Sequence, residues 1–97
     1  MKGFELSNEA KKDLRTIARF TEKRWGRDQR LLYIKQFDNT FHLLAKSSSL
    51  GKQCFYIKEG YRKFPQGSHI IFYRETSNHE ILIVRILHKS MDIESKF

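Results

Sequence analysis

The sequence predicts an α+β fold, a helical hairpin packed on a small antiparallel sheet, in the order strand, helix, helix, strand, strand, strand. Three observations carry this. Apolar residues recur at steps of three and four between Ala10 and Ala45, in two runs separated by Gly26. From Tyr61 onward the period falls to two, in three short runs divided by turn residues. The 97 residues, 39% of them apolar, suffice for one domain with a core of its own and leave no room for a second, so residues 1–97 form a single unit.

The opening Phe4-Glu5-Leu6 alternates and predicts a short strand. Ser7 suits an N-cap, and Glu9 falls in the first turn, where a carboxylate complements the helix dipole. Ala10, Leu14, Ile17, Ala18, Thr21 and Trp25 make the stripe of the first helix, and Gly26 stops it. The opposite side carries Lys11, Lys12, Arg15, Arg19 and Lys23. Phe20 lies off the stripe, either packed against a neighbouring loop or exposed as a contact. The second helix is expected from near Asp28, with Leu31, Ile34, Phe37, Phe41, Leu44 and Ala45 as its stripe. Leu32, Tyr33 and Thr40 widen its apolar surface beyond one face, as though a further surface were to be covered. A link as short as Gly26-Arg27 makes the two helices antiparallel neighbours. Lys46 to Lys52 reads as the exit from the helix and then loop.

In the second half, Tyr61–Phe64, His69–Glu75 and Ile81–Leu87 read as strands, with turns at Pro65-Gln66-Gly67 and Ser77-Asn78-His79. The short connections predict an antiparallel meander. Along the middle strand Ile71 and Tyr73 point one way and Ile70 and Phe72 the other. Simple alternation in the last strand sets Ile81, Ile83 and Leu87 against Leu82, Val84 and Ile86. Both faces of the sheet are therefore apolar. Helices can cover one of them; the other is covered either from within the domain or by another molecule.

The charge balance, 19 basic against 11 acidic residues and net +8, favours an acidic partner, a nucleic acid or an acidic protein segment. Cys54 is the one cysteine and has no base beside it in sequence, so it is expected to be a small apolar packing residue in a reducing compartment. No run approaches the roughly 18 apolar residues of a membrane span, and Met1-Lys2-Gly3-Phe4-Glu5 lacks the apolar core of a signal peptide. A soluble cytoplasmic protein with no membrane partner is the expectation. His42, His69, His79 and His88 show no ligand spacing, no glycine-rich loop joins a strand to a helix, and no nucleophile elbow is present, so neither a metal nor a cofactor is expected. A basic and aromatic set remains on the sheet: Tyr61, Arg62, Lys63, His69, Tyr73, Arg85, His88 and Lys89. Such a set could form a protein-binding rim. It could also cleave RNA without a metal, its bases activating the 2′-hydroxyl and its cations stabilising the phosphorane.

Several segments together resemble a known family. Leu6-Ser7-Asn8-Glu9-Ala10-Lys11-Lys12-Asp13-Leu14 with Ile17, then Arg24-Trp25-Gly26, Gly60 to Arg74, and Arg85 to Asp92 are similar to the ParE branch of the RelE/ParE toxin superfamily, over almost the whole chain. The resemblance implies the toxin of a type II toxin–antitoxin module, with the fold given above. It implies a ParD-like antitoxin whose flexible acidic segment folds onto the toxin. It also implies DNA gyrase as the target, poisoned by binding, with DNA touched only indirectly through gyrase and with no catalytic residue. On that reading Arg62, Lys63, Arg85, His88, Lys89, Met91 and Asp92 form the gyrase-binding edge, and Phe20, Tyr33, Tyr61, Phe64 and Phe72 meet the antitoxin. The RelE branch offers the alternative of a ribosome-dependent mRNA endoribonuclease, with Arg62, Arg85, His88 and Lys89 as its catalytic set. The chain departs from that branch in carrying His69 where an arginine commonly opens the middle strand, and in having no tyrosine after Tyr73.

Overall fold

The structure, a computed structural model, describes residues 3–97. Met1 and Lys2, which open the segment examined above for a signal peptide, lie outside the described residues. The elements are β1 (Phe4–Leu6), α1 (Asn8–Trp25), α2 (Arg27–Lys46), β2 (Lys52–Gln53), β3 (Arg62–Gln66), β4 (His69–Glu75) and β5 (Ile81–His88), with single 3-10 turns at Ser48–Leu50 and Glu94–Lys96. The helices pack on each other and on one face of a five-stranded sheet of order β1-β5-β4-β3-β2.

β3, β4 and β5 form the expected antiparallel meander. Two short strands extend it. β2 pairs antiparallel with β3 through two residues, and β1 pairs parallel with β5, so the complete sheet is mixed. Ser7 explains how β1 is held and where it ends. Its N–H donates to the Ile83 carbonyl at 2.9 Å, and its hydroxyl accepts from Ala10 N–H at 3.0 Å and donates to the Val84 carbonyl at 2.7 Å. One residue thus closes a strand, caps a helix and ties down β5.

Gly26 alone joins the helices. Its N–H donates to Glu22 at 2.8 Å, ending α1, and its carbonyl accepts from Arg30 N–H at 3.1 Å, beginning α2. It does both at φ 96°, ψ 172°, a backbone region open in practice only to glycine.

Two details of the strands differ from the sequence reading. β3 runs through Pro65 to Gln66, so the turn is Gly67-Ser68 and not Pro65-Gln66-Gly67. β2 reaches only Arg62 and Lys63, leaving the edge beyond them free to accept a residue without an N–H. Gly67 takes φ 59°, and a Cβ there would lie 2.7 Å from the Tyr33 hydroxyl, so both the turn and the close approach of Tyr33 require glycine.

In β5 the alternation breaks. Phe72 pairs with Arg85 but Tyr73 pairs with Ile83, which leaves Val84 without an opposite number. This bulge turns the end of the strand over. Ile86 joins Ile81 and Ile83 in the helix-side core, and Leu87 moves to the other face, the reverse of the simple alternation.

The helix-side core is built on Phe37, Phe41, Leu44, Ile71, Tyr73 and the three β5 isoleucines. Trp25 and Leu31, expected on buried stripes, are exposed, because the hairpin tip projects beyond the core: residues 22–29 are all exposed. The second face is covered from within. Cys54, Phe72 and Leu87 are buried there under Ile57, Tyr61, Ile70 and Ile93, and the Phe97 ring sits edge-on to Phe72 at 5.1 Å and to Tyr61 at 5.9 Å. Cys54 is fully buried, as a packing residue should be, and burial pushes its thiol pKa up against the pull of Lys63.

Candidate functional site

Beneath the projecting hairpin tip lies an open groove of about 860 Å³ between the helices and the β4–β5 end. Phe20 and Trp25 from α1, Leu32 from α2, and Met91 beyond β5 give it an apolar rim. Phe20 and Trp25 are each 63% exposed. Tyr33, His69, His88 and Ser90 add polar groups to the lining. The first half of the chain supplies a cover too long for its sheet, and the overhang is what makes the concavity.

The wall on the β5 side is fixed by Asp13. β1 pairs β5 only as far as Ile83, so Ile86 N–H has no strand partner on that edge. Asp13 accepts from it at 2.9 Å, and also from Arg85 Nε at 2.8 Å and Nη2 at 3.0 Å. The third Arg85 nitrogen, Nη1, reaches the Lys96 carbonyl at 3.3 Å. The bonds from Asp13 raise the guanidinium pKa against the opposing effect of burial. Charge-assisted fork geometry of this kind fixes position strongly. Arg85 is committed to holding strand, helix and tail together.

The floor is a hydrogen-bonded chain. His69 and His88 face each other across β4 and β5, with rings 5.2 Å apart and edge to face. Tyr33 Oη lies 2.7 Å from His69 Nδ1 and 3.2 Å from the Gln66 carbonyl, to which it donates. Burial first, and then the neighbouring His88, push the His69 pKa down to about 4, with Asp13 opposing. His69 is therefore neutral at physiological pH. Burial likewise raises the Tyr33 phenol. On His88, Nδ1 accepts from Ser90 N–H at 3.1 Å, which puts the proton of the neutral ring on Nε2. The Ser90 hydroxyl lies 2.6 Å from the same nitrogen.

The residues expected to bind a gyrase edge do not form one patch. His88 and Met91 line the groove, and Lys89 and Asp92 are exposed just beyond β5. Arg85 is tied to Asp13. Arg62 stands at the opposite end of β3, donating to the Gly51 carbonyl at 2.7 Å. Its level is four residues along the strand from the His69–His88 pair, roughly 13 Å. Lys63 points at Tyr56, with Nζ donating to its hydroxyl at 2.8 Å. The set Arg62, Arg85, His88 and Lys89 is accordingly spread along the sheet and does not converge on one reacting atom.

Of the expected antitoxin contacts, Phe20 and Tyr33 line the groove. Phe64 packs on the helix-side core and Tyr61 on the far-face cluster. Phe72 is 0% exposed and is a core residue, so it offers no surface to a partner. Trp25 is a groove residue that the stripe reading placed among the buried positions, whereas Leu32, read as widening α2 beyond its stripe, lines the groove. The visible signal was the excess apolar width of the helices close to the one-residue link. Among the described residues there is no cluster of three or more metal-ligating side chains, and no helix is long and apolar enough to cross a membrane.

Comparison with known proteins agrees with this architecture. Residues 4–93 match the family model described as ParE toxin of type II toxin–antitoxin system, parDE. Toxin ParE1 of Caulobacter vibrioides is 37% identical over 92 residues, covering 95% of this chain and 94% of that protein. Toxin ParE1 of Mycobacterium tuberculosis is 38% identical over 89 residues, covering 92% and 91%. Toxin ParE of Escherichia coli is 29% identical over 96 residues, covering 99% and 93%. Among solved structures, the chromosomal ParDE TA system from P. aeruginosa superposes with a TM-score of 0.76 at 19% identity, over 91% of this chain and 96% of that one, a likeness of fold. The chain belongs to the ParE toxin family.

Proposed function

Starting from that membership, we propose that the protein is the toxin of a ParDE-type module, that a ParD-like antitoxin neutralises it by filling the groove under the hairpin tip, and that its target is DNA gyrase. The match to the ParE family over residues 4–93 carries the reading. The groove supports the antitoxin part. A rim of exposed aromatic and aliphatic side chains on so small a domain calls for a cover, and the outer side of α1 presents Lys11, Lys12, Arg15, Arg19 and Lys23, all exposed, to an acidic segment. A helix with apolar anchors laid in the groove would satisfy both.

Action by binding is supported over catalysis because the chemistry-bearing groups are already engaged or scattered. Arg85 is held by Asp13, Arg62 by the Gly51 carbonyl, and His69 by Tyr33. The exposed rim at the end of β5, His88 to Asp92, is the part we assign to gyrase. Free of antitoxin, the purified protein should make gyrase accumulate cleaved DNA. Intact DNA alongside codon-biased mRNA cuts would instead place it with the RelE-type nucleases. For the groove, Phe20→Asp with Leu32→Asp should abolish neutralisation by the antitoxin while the melting temperature stays within a few degrees, because both side chains are exposed. Undiminished binding by that variant would remove the groove from the account.

A further inference from the structure

We propose that the loop between β2 and β3 and the strand edge beneath it form a second binding surface, which takes single-stranded nucleic acid. The loop closes on itself: Cys54 N–H donates to the Tyr61 carbonyl at 3.0 Å and Ile57 N–H to the Cys54 carbonyl at 2.9 Å. Cys54 and Ile57 turn inward and pack against the far-face cluster. The two residues between them turn outward, Phe55 at 73% exposure and Tyr56 at 59%. These two adjacent rings contribute nothing to either core, and their exposure has no return in folding.

The charges around them are equally unspent. Lys52 and Lys63 are direct cross-strand partners on the edge of the sheet, an arrangement of like charges that destabilises a strand pair. Among the described residues no carboxylate forms an ion pair with Lys52, Lys58 or Lys63. From residue 51 to 63 there are four cations, with Glu59 the lone carboxylate. Lys63 donates to the Tyr56 hydroxyl at 2.8 Å, with its ammonium 5.4 Å from that ring's centroid, so charge and aromatic face belong to one patch.

A phosphodiester between the opposed lysines converts their repulsion into attraction. Bases on either side of it can then stack on Phe55 and Tyr56, without regard to sequence. An acidic peptide could satisfy the lysines as well, but two adjacent aromatic faces beside them are what successive bases stack on. The patch shares no lining residue with the groove, so both surfaces can be filled together. It stands apart from the gyrase and antitoxin readings.

Fluorescence anisotropy of the full chain with labelled oligo(dT) and oligo(U), roughly twelve nucleotides long, tests this at about 50 mM salt and upward. The double variant Phe55→Ala, Tyr56→Ala should lose about tenfold or more in affinity at unchanged melting temperature. Lys52→Gln with Lys63→Gln should flatten the log–log salt dependence by about 0.7, for the one phosphate the two lysines share. Phe20→Asp should bind as the unaltered chain does. Three results would overturn the proposal: no binding at low salt, affinity indifferent to removal of the rings, or polyglutamate of matched charge competing as well as the oligonucleotide.

Discussion

The two faces of the sheet are both apolar, yet they are covered by different kinds of chain. One lies under 38 helical residues in two long elements. The other lies under a loop of eight residues and a tail of five, held by Ile57, Tyr61, Ile93 and Phe97. A helix covers a sheet with a repeating stripe, and the surplus length of a helix must go somewhere; here it overhangs and makes the groove. Loop and tail cover with single side chains, and the residues between those anchors point outward. The covered faces differ in regularity, and each irregular remainder, the hairpin tip and the Phe55–Tyr56 pair, is where a partner has something to hold.

The sharpest way to break the comparison is to remove one anchor from each cover. Phe37 is fully buried between helix and sheet, so Phe37→Ala should cost about 3–5 kcal/mol, read by denaturant unfolding. Cutting the chain after Asp92 removes Ile93 and Phe97 from over Phe72 and Tyr61, and should cost about 2 kcal/mol, since Phe97 is itself partly exposed. The truncated chain should also bind more of an apolar dye than the whole chain does, through the newly bared far face. Equal losses from the two changes would mean that the far face is as tightly built as the near one. No loss from the truncation would mean that the tail is ornament.

Between these in position is Asp13, where both covers meet at one strand edge: helix α1 supplies the carboxylate, β5 the arginine and the tail the Lys96 carbonyl. Asp13→Ala leaves a half-buried guanidinium with only the Lys96 carbonyl, and the Ile86 N–H with no partner. A cost of roughly 2–3 kcal/mol follows, below the range for a fully buried pair because both side chains keep some contact with water. Asp13→Asn, which retains one acceptor, should lose about half as much. Should Asp13→Ala prove neutral, the assignment of Arg85 to structure would fall, and Arg85 would return to the set of free cations.

These contrasts also say what was legible in the sequence. Helix positions followed from the 3.6-residue period at Ala10, Leu14, Ile17 and at Phe37, Phe41, Leu44, and Ser7 and Gly26 marked the ends, because caps and stripes are local physics. The inward and outward sets of β4 followed from the two-residue period. The bulge at Val84 did not. Nothing in Ile81-Leu82-Ile83-Val84-Arg85-Ile86-Leu87 says where alternation will slip; at the slip the Val84 carbonyl accepts from the Ser7 hydroxyl, 77 positions away in sequence. Nor could the sequence separate Phe72 from Phe20 as a contact residue, because a phenylalanine's exposure depends on what lies over it, and the cover of Phe72 arrives from residue 97. Arg62 and Arg85 looked like free cations for the same reason. Their partners, a backbone carbonyl and a carboxylate 72 residues away, are invisible to spacing.

The smallest effect distinguishes the groove floor from both cores. His69 is held neutral by burial and by His88, with its pKa pushed down to about 4 from an ordinary 6.5. Between those values the unfolded chain binds a proton that the folded chain refuses. The stabilising contribution of neutral His69 is therefore complete above pH 6.5 and is lost as the pH falls toward 4. Solvent reaches the ring from the groove, so the loss should be only about 1 kcal/mol. Protonation would also place a cation beside His88, whose ring lies 5.2 Å away. Unfolding of the parent chain and of His69→Gln, followed side by side from pH 7 to pH 4, isolates this term from the carboxylates common to both. The parent should lose stability faster over that interval. If an antitoxin segment fills the groove and deepens the burial of His69, the parent's pH dependence should steepen in the complex, whereas parallel curves with and without it would mean that the floor lies outside the contact.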